Sequence, residues 1–556
     1  MSQQLRPKLS GAPNRGYRLL AFGCWLPAFV FLLPGCSSDD VARLVARDAI
    51  AMTRPTSAPA PTTQAGSAPA SDEGSGPLQL GVQKAILLTL QNNRELVVER
   101  MRPSIQRTYE EQQEGVFDPV LSATGQYERS RSLKKGKDNE WPVSDISSGS
   151  IGLEKFFPTG TTASIDASTS FSDTWTSLYD DRSASSRLGL SVTQALLRGA
   201  GIDVNLASLH QAKIDTLVSQ YELRAYAESL VAQVEQTYWD YVLAQRKIEI
   251  FSKSLDVAQE QYDATKAKVD VGRLAARIEL AAAEAEVALR KEALIDANST
   301  LAKTRLLLLR LVNPPGRNLW NREIRSEDQP LAPDVKLDDV ESHVQVALRY
   351  RPDLNQARLG VQRGDLEIVK TRNGLLPKMD LFITLGKTGY ADTFDGSMGN
   401  FGGKGYDALV GMSMEYPLGN RDAHAQHQRA VLTRQQSLEA VGNLEQTVQV
   451  DVRSAYLEVL RAREQIAATK VSRALQEAKY DAEKIRLKEG AGNSLLVSLA
   501  QRDLVASQID EVQAVTTYLK ALVDLYWLQG SLLERRGITA PGKDPVKLED
   551  RGTVRP

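Results

Sequence analysis

Thr161-Thr162-Ala163-Ser164-Ile165-Asp166-Ala167-Ser168-Thr169-Ser170-Phe171 alternates apolar or small residues with polar ones along its whole length. Successive side chains of a strand leave on opposite faces, so this pattern predicts a β-strand with one apolar and one polar face. Pro158-Thr159-Gly160, just before it, reads as a tight turn. The same period governs 120–127, 151–153, 188–192, 379–385 and 409–416. Four candidates lie in the first half of the chain and two in the second. Each is read as a membrane-crossing strand, which takes roughly 9–11 residues. The polar, Gly- or Asp-rich stretches 130–148, 172–184 and 391–404 between them read as surface loops. Trp141, Trp175, Tyr179, Tyr390 and Tyr406 stand near strand ends, as an interfacial aromatic girdle requires.

The rest of the chain has a helical period. Tyr241, Ile248, Leu255, Tyr262 and Val269 recur every seventh residue, with Ala244, Phe251, Ala258 and Thr265 as a companion seam. That is an a/d heptad whose small second seam permits close helix approach. No proline interrupts 205–271, which as one helix would reach roughly 100 Å at ~1.5 Å per residue. Gly272 breaks it, and 273–311 returns as an Ala-rich partner ended by Pro314-Pro315-Gly316. A second hairpin follows the same plan: 424–488, a break at Gly490-Ala491-Gly492, and a return to about residue 533.

Landmarks recur at constant offsets. Leu90, Leu96 and Pro119 match Leu348, Leu354 and Pro377 at +258, while Tyr238, Tyr262 and Gly272 match Tyr456, Tyr480 and Gly490 at +218. The chain therefore reads as two internal repeats, the first carrying 258 − 218 = 40 extra residues between Pro119 and Tyr238.

The start of the chain reads as an export signal. Arg6, Lys8, Arg15 and Arg18 precede an apolar run, 19–33, too short to span a bilayer. Leu33-Pro34-Gly35-Cys36 then resembles a bacterial lipobox, with Cys36 as the lipidated residue; the alternative is a plain signal peptide with an incidental cysteine. Cleavage before Cys36 removes Cys24 and leaves no disulfide partner. Residues 53–77 are rich in Pro, Ala, Ser, Thr and Gly and read as a tether.

Bulk chemistry excludes several classes. With 68 basic and 69 acidic residues there is no nucleic-acid footprint. The histidines are His210, His343, His424 and His427; His424 and His427 can share a helix face, but no third ligand stands near them. No Gly-rich phosphate loop, nucleophile elbow or HExxH is present, so neither a cofactor, a metal nor an enzyme is expected. Glu279 and Glu284 on the first return helix line a channel entrance or simply face solvent.

After signal removal no apolar run is long enough for a membrane helix, so any span must be β. In hydrocarbon every backbone group needs a partner, and the sheet must close. Six strands fall below the usual minimum of about eight. Several copies must pool strands.

These features resemble the TolC-like outer membrane efflux proteins, over about residues 78–533. The carriers are the two halves, Arg351-Pro352-Asp353, Val271-Gly272-Arg273-Leu274-Ala275 with Ala283-Glu284-Ala285, Leu499-Ala500-Gln501-Arg502, and Gln194-Ala195-Leu196-Leu197-Arg198-Gly199 at the passage from strand to long helix. The resemblance implies an α+β membrane protein: a homotrimer with an outer-membrane β-barrel and a periplasmic helical tunnel, meeting a periplasmic adaptor (membrane fusion) protein and an inner-membrane pump. It implies a passive channel anchored in outer-membrane lipid. Val271, Gly272, Arg273, Gly490, Ala491 and Gly492 become the adaptor-docking tip; the alternative is plain helix ends. Where relatives often carry Asp after the second tip turn, this chain has Leu496 and Leu499, which form either an apolar gate closing by dewetting or ordinary intersubunit core. Relatives commonly use two strands per half, so 155–160 is either a true turn or a bend in a longer ribbon, giving a trimer eighteen or twelve strands.

The expected organisation is a signal peptide (1–35), a lipidated linker (36–77), short helices (78–118), strands (119–197) and a long hairpin (198–313). An equatorial connector (314–338) leads to short helices (339–376), strands (377–417), a second hairpin (418–534) and a flexible tail (535–556). A coiled-coil lipoprotein spacer is the competing reading; it leaves the alternating strands unexplained.

Overall fold

The computed structural model describes residues 77–131, 141–175, 180–270, 276–315, 319–333, 336–489 and 491–548. The expected signal, Cys36, most of the linker, Tyr179, Val271, Gly272, Arg273 and Gly490 lie outside the described residues.

A short strand β1 (Leu78–Leu80) leads into helices α1 (Val82–Asn92) and α2 (Arg94–Glu114). Four strands follow, β2 (Val120–Arg131), β3 (Val143–Phe156), β4 (Thr161–Trp175) and β5 (Asp180–Ala195). A single turn, α3 (Ile202–Asn205), precedes the long hairpin α4 (Ala207–Asp270) and α5 (Ala276–Val312). Strand β6 (Ile324–Ser326) pairs parallel with β1. The second half comprises α6 (Val340–Tyr350), α7 (Pro352–Gly374), β7 (Lys378–Ala391), α8 (Phe394–Gly399) and β8 (Tyr406–Glu415). It ends in the hairpin α9 (Arg421–Lys488) and α10 (Ser494–Leu528), then the turn α11 (Leu532–Arg535).

Corresponding elements keep the sequence offsets. Helices α1 and α6 begin at 82 and 340, and strands β2 and β7 at 120 and 378, both 258 apart. Helices α5 and α10 begin at 276 and 494, 218 apart. The interval holding the extra residues contains the hairpin β3–β4, which has no counterpart between β7 and β8.

The six long strands form one antiparallel sheet in the order β2-β3-β4-β5-β7-β8. The strands outrun the expectation: β3 begins inside the expected loop 130–148, while β4 and β5 cut into 172–184. Polar composition looked like loop, yet here polar side chains pair across strands. Arg129 meets Asp145, and Thr174 Oγ1 donates to Ser144 Oγ over 3.0 Å. Stretch 391–404 likewise contains α8, capped at its N-terminus by Thr393 Oγ1, which accepts from the Gly396 amide at 3.3 Å.

Each half pairs one long helix with two half-length helices that meet end to end. At the meeting of α2 and α5, Asn93 Nδ2 donates to the Leu311 carbonyl (3.0 Å) and Asn313 Nδ2 to that of Asn92 (2.8 Å). Asn93 also caps α2, its Oδ1 accepting from the Leu96 amide at 3.0 Å. In the second half, where α10 meets α7, Gly530 at φ +70° lies against the Arg351 backbone, and His343 Nδ1 meets Gln529 Oε1 at 2.7 Å.

The apolar core sits at this equatorial level. Leu80, Leu96, Leu230, Tyr238, Leu308, Leu309 and Ile324 form one cluster; Val344, Val448, Val452, Tyr518 and Leu525 form another. A fully buried Leu contributes roughly 1.5–3 kcal/mol, so helix ends that meet without covalent continuity are held largely by these side chains. Below the equator the hairpins are thin. Of the heptad seams, Ala244, Ala258 and Thr265 are buried, whereas Ile248, Leu255, Tyr262 and Val269 are only half-buried. The tail also differs from expectation: the Val546 amide donates to Asn355 Oδ1 (2.9 Å), Gln362 Nε2 to the Lys547 carbonyl (3.0 Å), and Gly542 at φ +72° rests on Tyr221. Its polar composition hid backbone bonding to α4 and α7.

Candidate functional site: a two-faced wall and a hairpin end

Strand register divides the sheet into two chemically different faces. Leu121, Leu153, Ile165, Leu190, Leu385 and Ala408 are successive cross-strand partners, forming an apolar row across all six strands. Ile151, Leu188, Ile383, Val410, Met412 and Met414 share that face, and all of them are exposed. So large an apolar surface on water would be an aggregation surface; against hydrocarbon it is at its minimum cost. On β4 the apolar positions run from Ala163 to Phe171, ~27 Å along the strand at ~3.4 Å per residue.

One residue out of step, the opposite face reads Ser122, Gly152, Asp166, Gly189, Gly386, Asp407, then Thr124, Ser150, Ser168, Arg187, Thr388. It is a wall of hydroxyls, which both donate and accept and so stay solvated by water. Tyr390 leaves on this hydroxyl face and Tyr406 on the apolar one, so Tyr390 is not part of an outward girdle. Trp141 and Tyr406 are exposed near strand ends, and Trp175 lies under the Arg129 guanidinium at 5.9 Å.

The edges decide what the sheet can do. Among the described residues β2 pairs only with β3, and β8 only with β7. Each presents an unpaired row of backbone groups, which no bilayer tolerates.

Asparagines fasten the wall to the helices. Asn205 Nδ2 donates to the carbonyls of Pro158 (2.9 Å), Gly199 (2.9 Å) and Gly201 (3.0 Å). The Gly199 amide donates to Asn373 Oδ1 at 2.7 Å, and Asn420 Nδ2 to the Leu375 carbonyl at 3.1 Å. Gly199 and Gly201, at φ +85° and +103°, make the passage out of β5. The stretch 194–199 stands out in the sequence, but these amides do not, because their targets lie up to 176 residues away.

At the far end, α9 stops at Lys488 and α10 starts at Ser494, with Asn493 Oδ1 accepting from the Leu495 amide at 3.0 Å. The Ala491 amide donates to the Arg486 carbonyl (3.0 Å). A Cβ on Gly492 would come within 2.6 Å of the Leu487 nitrogen, so glycine serves close backbone approach here, and its φ is not positive. Leu496 is exposed one turn beyond Gly492 and Leu499 is half-buried, while their neighbours Val497 and Ala500 are buried. Glu279 and Glu284 are exposed. His343 is buried, and His427 Nδ1 lies 3.2 Å from Thr371 Oγ1.

A charged knot lies at the equator. Arg224, buried, reaches Glu228 (3.3 Å) and Glu534 (2.5 Å), and Arg536 pairs with buried Glu235. Burial pushes the Glu228 carboxyl up to about 8 against the pull of Arg224.

A model of the outer membrane efflux proteins matches residues 85–313 and 343–531, bracketing the equatorial connector. The outer membrane efflux protein BepC of Brucella suis biovar 1 is 25% identical over 329 residues, which are 59% of this chain and 68% of BepC. Among solved structures, the CmeC outer membrane channel of Campylobacter jejuni is similar at a TM-score of 0.61 and 15% identity, covering 86% of this chain and 94% of CmeC. The open state of the MtrE outer membrane channel of Neisseria gonorrhoeae gives 0.59 and 20%, covering 86% of this chain and 97% of MtrE.

Proposed function

The chain belongs to the outer membrane efflux protein family, and from that premise we propose that it is the exit duct of a tripartite efflux or type I secretion system, conducting substrate passively. As a member of that family it is an outer-membrane channel with a periplasmic helical extension, and it is not an enzyme. The finer reading is a homotrimer, in which β8 of one copy pairs with β2 of the next and six strands per copy make an eighteen-stranded barrel. One observation carries it: the sheet has a lipid-like face, a water-like face and two unsatisfied edges. Only ring closure satisfies all three in a bilayer. Barrels of 16–18 strands leave an aqueous channel.

In the same reading the two halves are a duplication, with β3–β4 inserted in the first, and the linear organisation is that expected above apart from the tied-down part of the tail. Cys36 carries the lipid anchor. Val271, Gly272, Arg273, Gly490, Ala491 and Gly492 form the end that meets a periplasmic adaptor coupled to an inner-membrane pump. Leu496, exposed just inside that end, is better placed than Leu499 to close the tunnel by apolar contact with its copies.

The test is mass and conductance of the full chain purified in detergent. Three copies per particle and discrete pores in planar bilayers are expected; a non-conducting monomer overturns the reading. A lipoprotein spacer would leave Ser130→Cys protected from impermeant thiol reagents on intact cells, whereas the channel exposes it outside.

A further inference from the structure

Besides the Lys378–Asp380 pair near the helical end, the hydroxyl face carries an ionic cluster that its sequence does not announce. Gly189 and Gly386 are direct cross-strand partners, and their outer neighbours in the same row are Asp166 and Asp407. Arg187, two residues along β5 and on the same face, lays its side chain over both glycines. Nη1 lies 3.2 Å from Asp166 Oδ2, Nη2 2.8 Å from Asp407 Oδ2, and Nε 3.2 Å from Asp407 Oδ1. A Cβ at Gly189 would come within 2.5 Å of Arg187 Nη1, and one at Gly386 within 2.7 Å of Nη2. The two glycines thus clear a bed for one guanidinium, and the ion triplet ties β4, β5 and β8 together across β7.

All three members of this triplet keep contact with water. The Arg187 side chain is 29% exposed, against 36% for Asp166 and 47% for Asp407. Formal charge is −2 + 1 = −1 for each chain. In the Ser122, Thr124 and Gln126 rows of this face, the other described side chains are uncharged. Glu154, one row below, and Glu128, one row above, add the same sign.

We propose that Asp166 and Asp407, held in place by Arg187, are fixed charges of the barrel lumen that make it prefer cations over anions. The proposal rests on the barrel reading above, because only closure turns this face into a lumen. Arg187 is a positioning residue: it spreads two carboxylates across the wall that would otherwise repel or fold away. A charge on a water-filled wall acts over about one Debye length, ~30 Å at 0.01 M salt and ~3 Å at 1 M. The preference is therefore a low-salt property, and cationic cargo gains most from it.

The experiment is the reversal potential of the purified full-length channel in planar bilayers under a tenfold KCl gradient. At low salt the wild type is expected to select K⁺ and to lose that selection as both sides are raised to molar salt. Asp166→Asn with Asp407→Asn should move the reversal potential toward zero with pores still open. Thr384→Lys, on the same face one row away and clear of the triplet, should move it the same way without disturbing the clamp. Pores with an unchanged reversal potential in both variants overturn the assignment alone. No pores from the wild type overturn the barrel reading and the assignment with it.

Discussion

The side-chain amide of Asn205 donates to the carbonyl of Pro158 across 2.9 Å, although 47 residues separate them. It joins the first turn of the helical layer to the turn between β3 and β4, the hairpin peculiar to the first half. The extra strands are thereby fastened at the same level as the passage out of β5.

Replacing Asn205 by Ala removes donors to three carbonyls. At about 1 kcal/mol for each neutral hydrogen bond, a loss of about 1–3 kcal/mol is expected. The temperature at which the assembled protein dissociates in detergent should fall, and Asn205→Asp, equal in size but without the amide donor, should fall with it. If Asn205→Asp matched the wild type, the carbonyls would not depend on this side chain.

Gly160 holds φ +84°, and a Cβ there would collide with the Gly199 carbonyl oxygen. Gly160→Ala meets both strain and collision, so a cost above the roughly 1–3 kcal/mol of a strained backbone alone is expected. Assembly yield, followed by heat-modifiable migration on gels, should drop well below that of Thr159→Ala at the adjacent position.

Tyr238 and Tyr241 stand one turn apart on α4, both buried. Tyr241 donates to the Ile324 carbonyl (2.7 Å) and Tyr238 to that of Leu80 (3.1 Å). They bolt the parallel pair β1–β6 to the long helix. Tyr241→Phe should cost about 1–2 kcal/mol, leaving the Ile324 oxygen unpaired, and Tyr241→Ala about 3–5 kcal/mol. Denaturant titration in detergent measures both; equal effects would mean the hydroxyl contributes nothing.

Glu228 gives a pH signature. Its folded carboxyl sits at about 8, above the ordinary value of 4.5, because burial outweighs Arg224. The folded state then binds more protons than the unfolded chain between those limits. Its stabilising contribution is complete below about 4.5 and is lost as pH rises through about 8. Thermal midpoints of the wild type should decline over that window, and Glu228→Gln should flatten the decline. An unchanged slope in the variant would place the titration elsewhere.

At the hairpin end, Gly492→Val drives a side chain into the Leu487 nitrogen. Amide exchange should quicken across 486–498 while the β-strands keep their protection. Undiminished protection at the start of α10 would show that the turn does not depend on this close approach.

Much of this was open to inspection in the one-dimensional chain. A period of two at 161–171 and of seven at 241–269 fixes element type, because side-chain direction follows from local geometry. The offsets of 258 and 218 reappear as element boundaries for the same reason. What failed was composition at strand ends. Ser144, Asp145, Asp173 and Arg182 look like loop residues until their partners across the strands are known. The tail failed likewise, since its hydrogen bonds are made by backbone groups that every residue carries. At the hairpin end the glycine-rich break was foreseen, but not the close backbone approach at Gly492.

Sequence alone determined that this protein alternates long heptad helices with strands of one apolar and one polar face. Only the tertiary structure decided which residues share a row. Strand register brings Arg187 between Asp166 and Asp407 and puts Gly189 beside Gly386, residues 197 apart. Periodicity is a local property of the backbone and survives in the sequence. Register is set by turns, asparagine clamps and pairing energies summed over the whole sheet, and no stretch of the chain contains that sum.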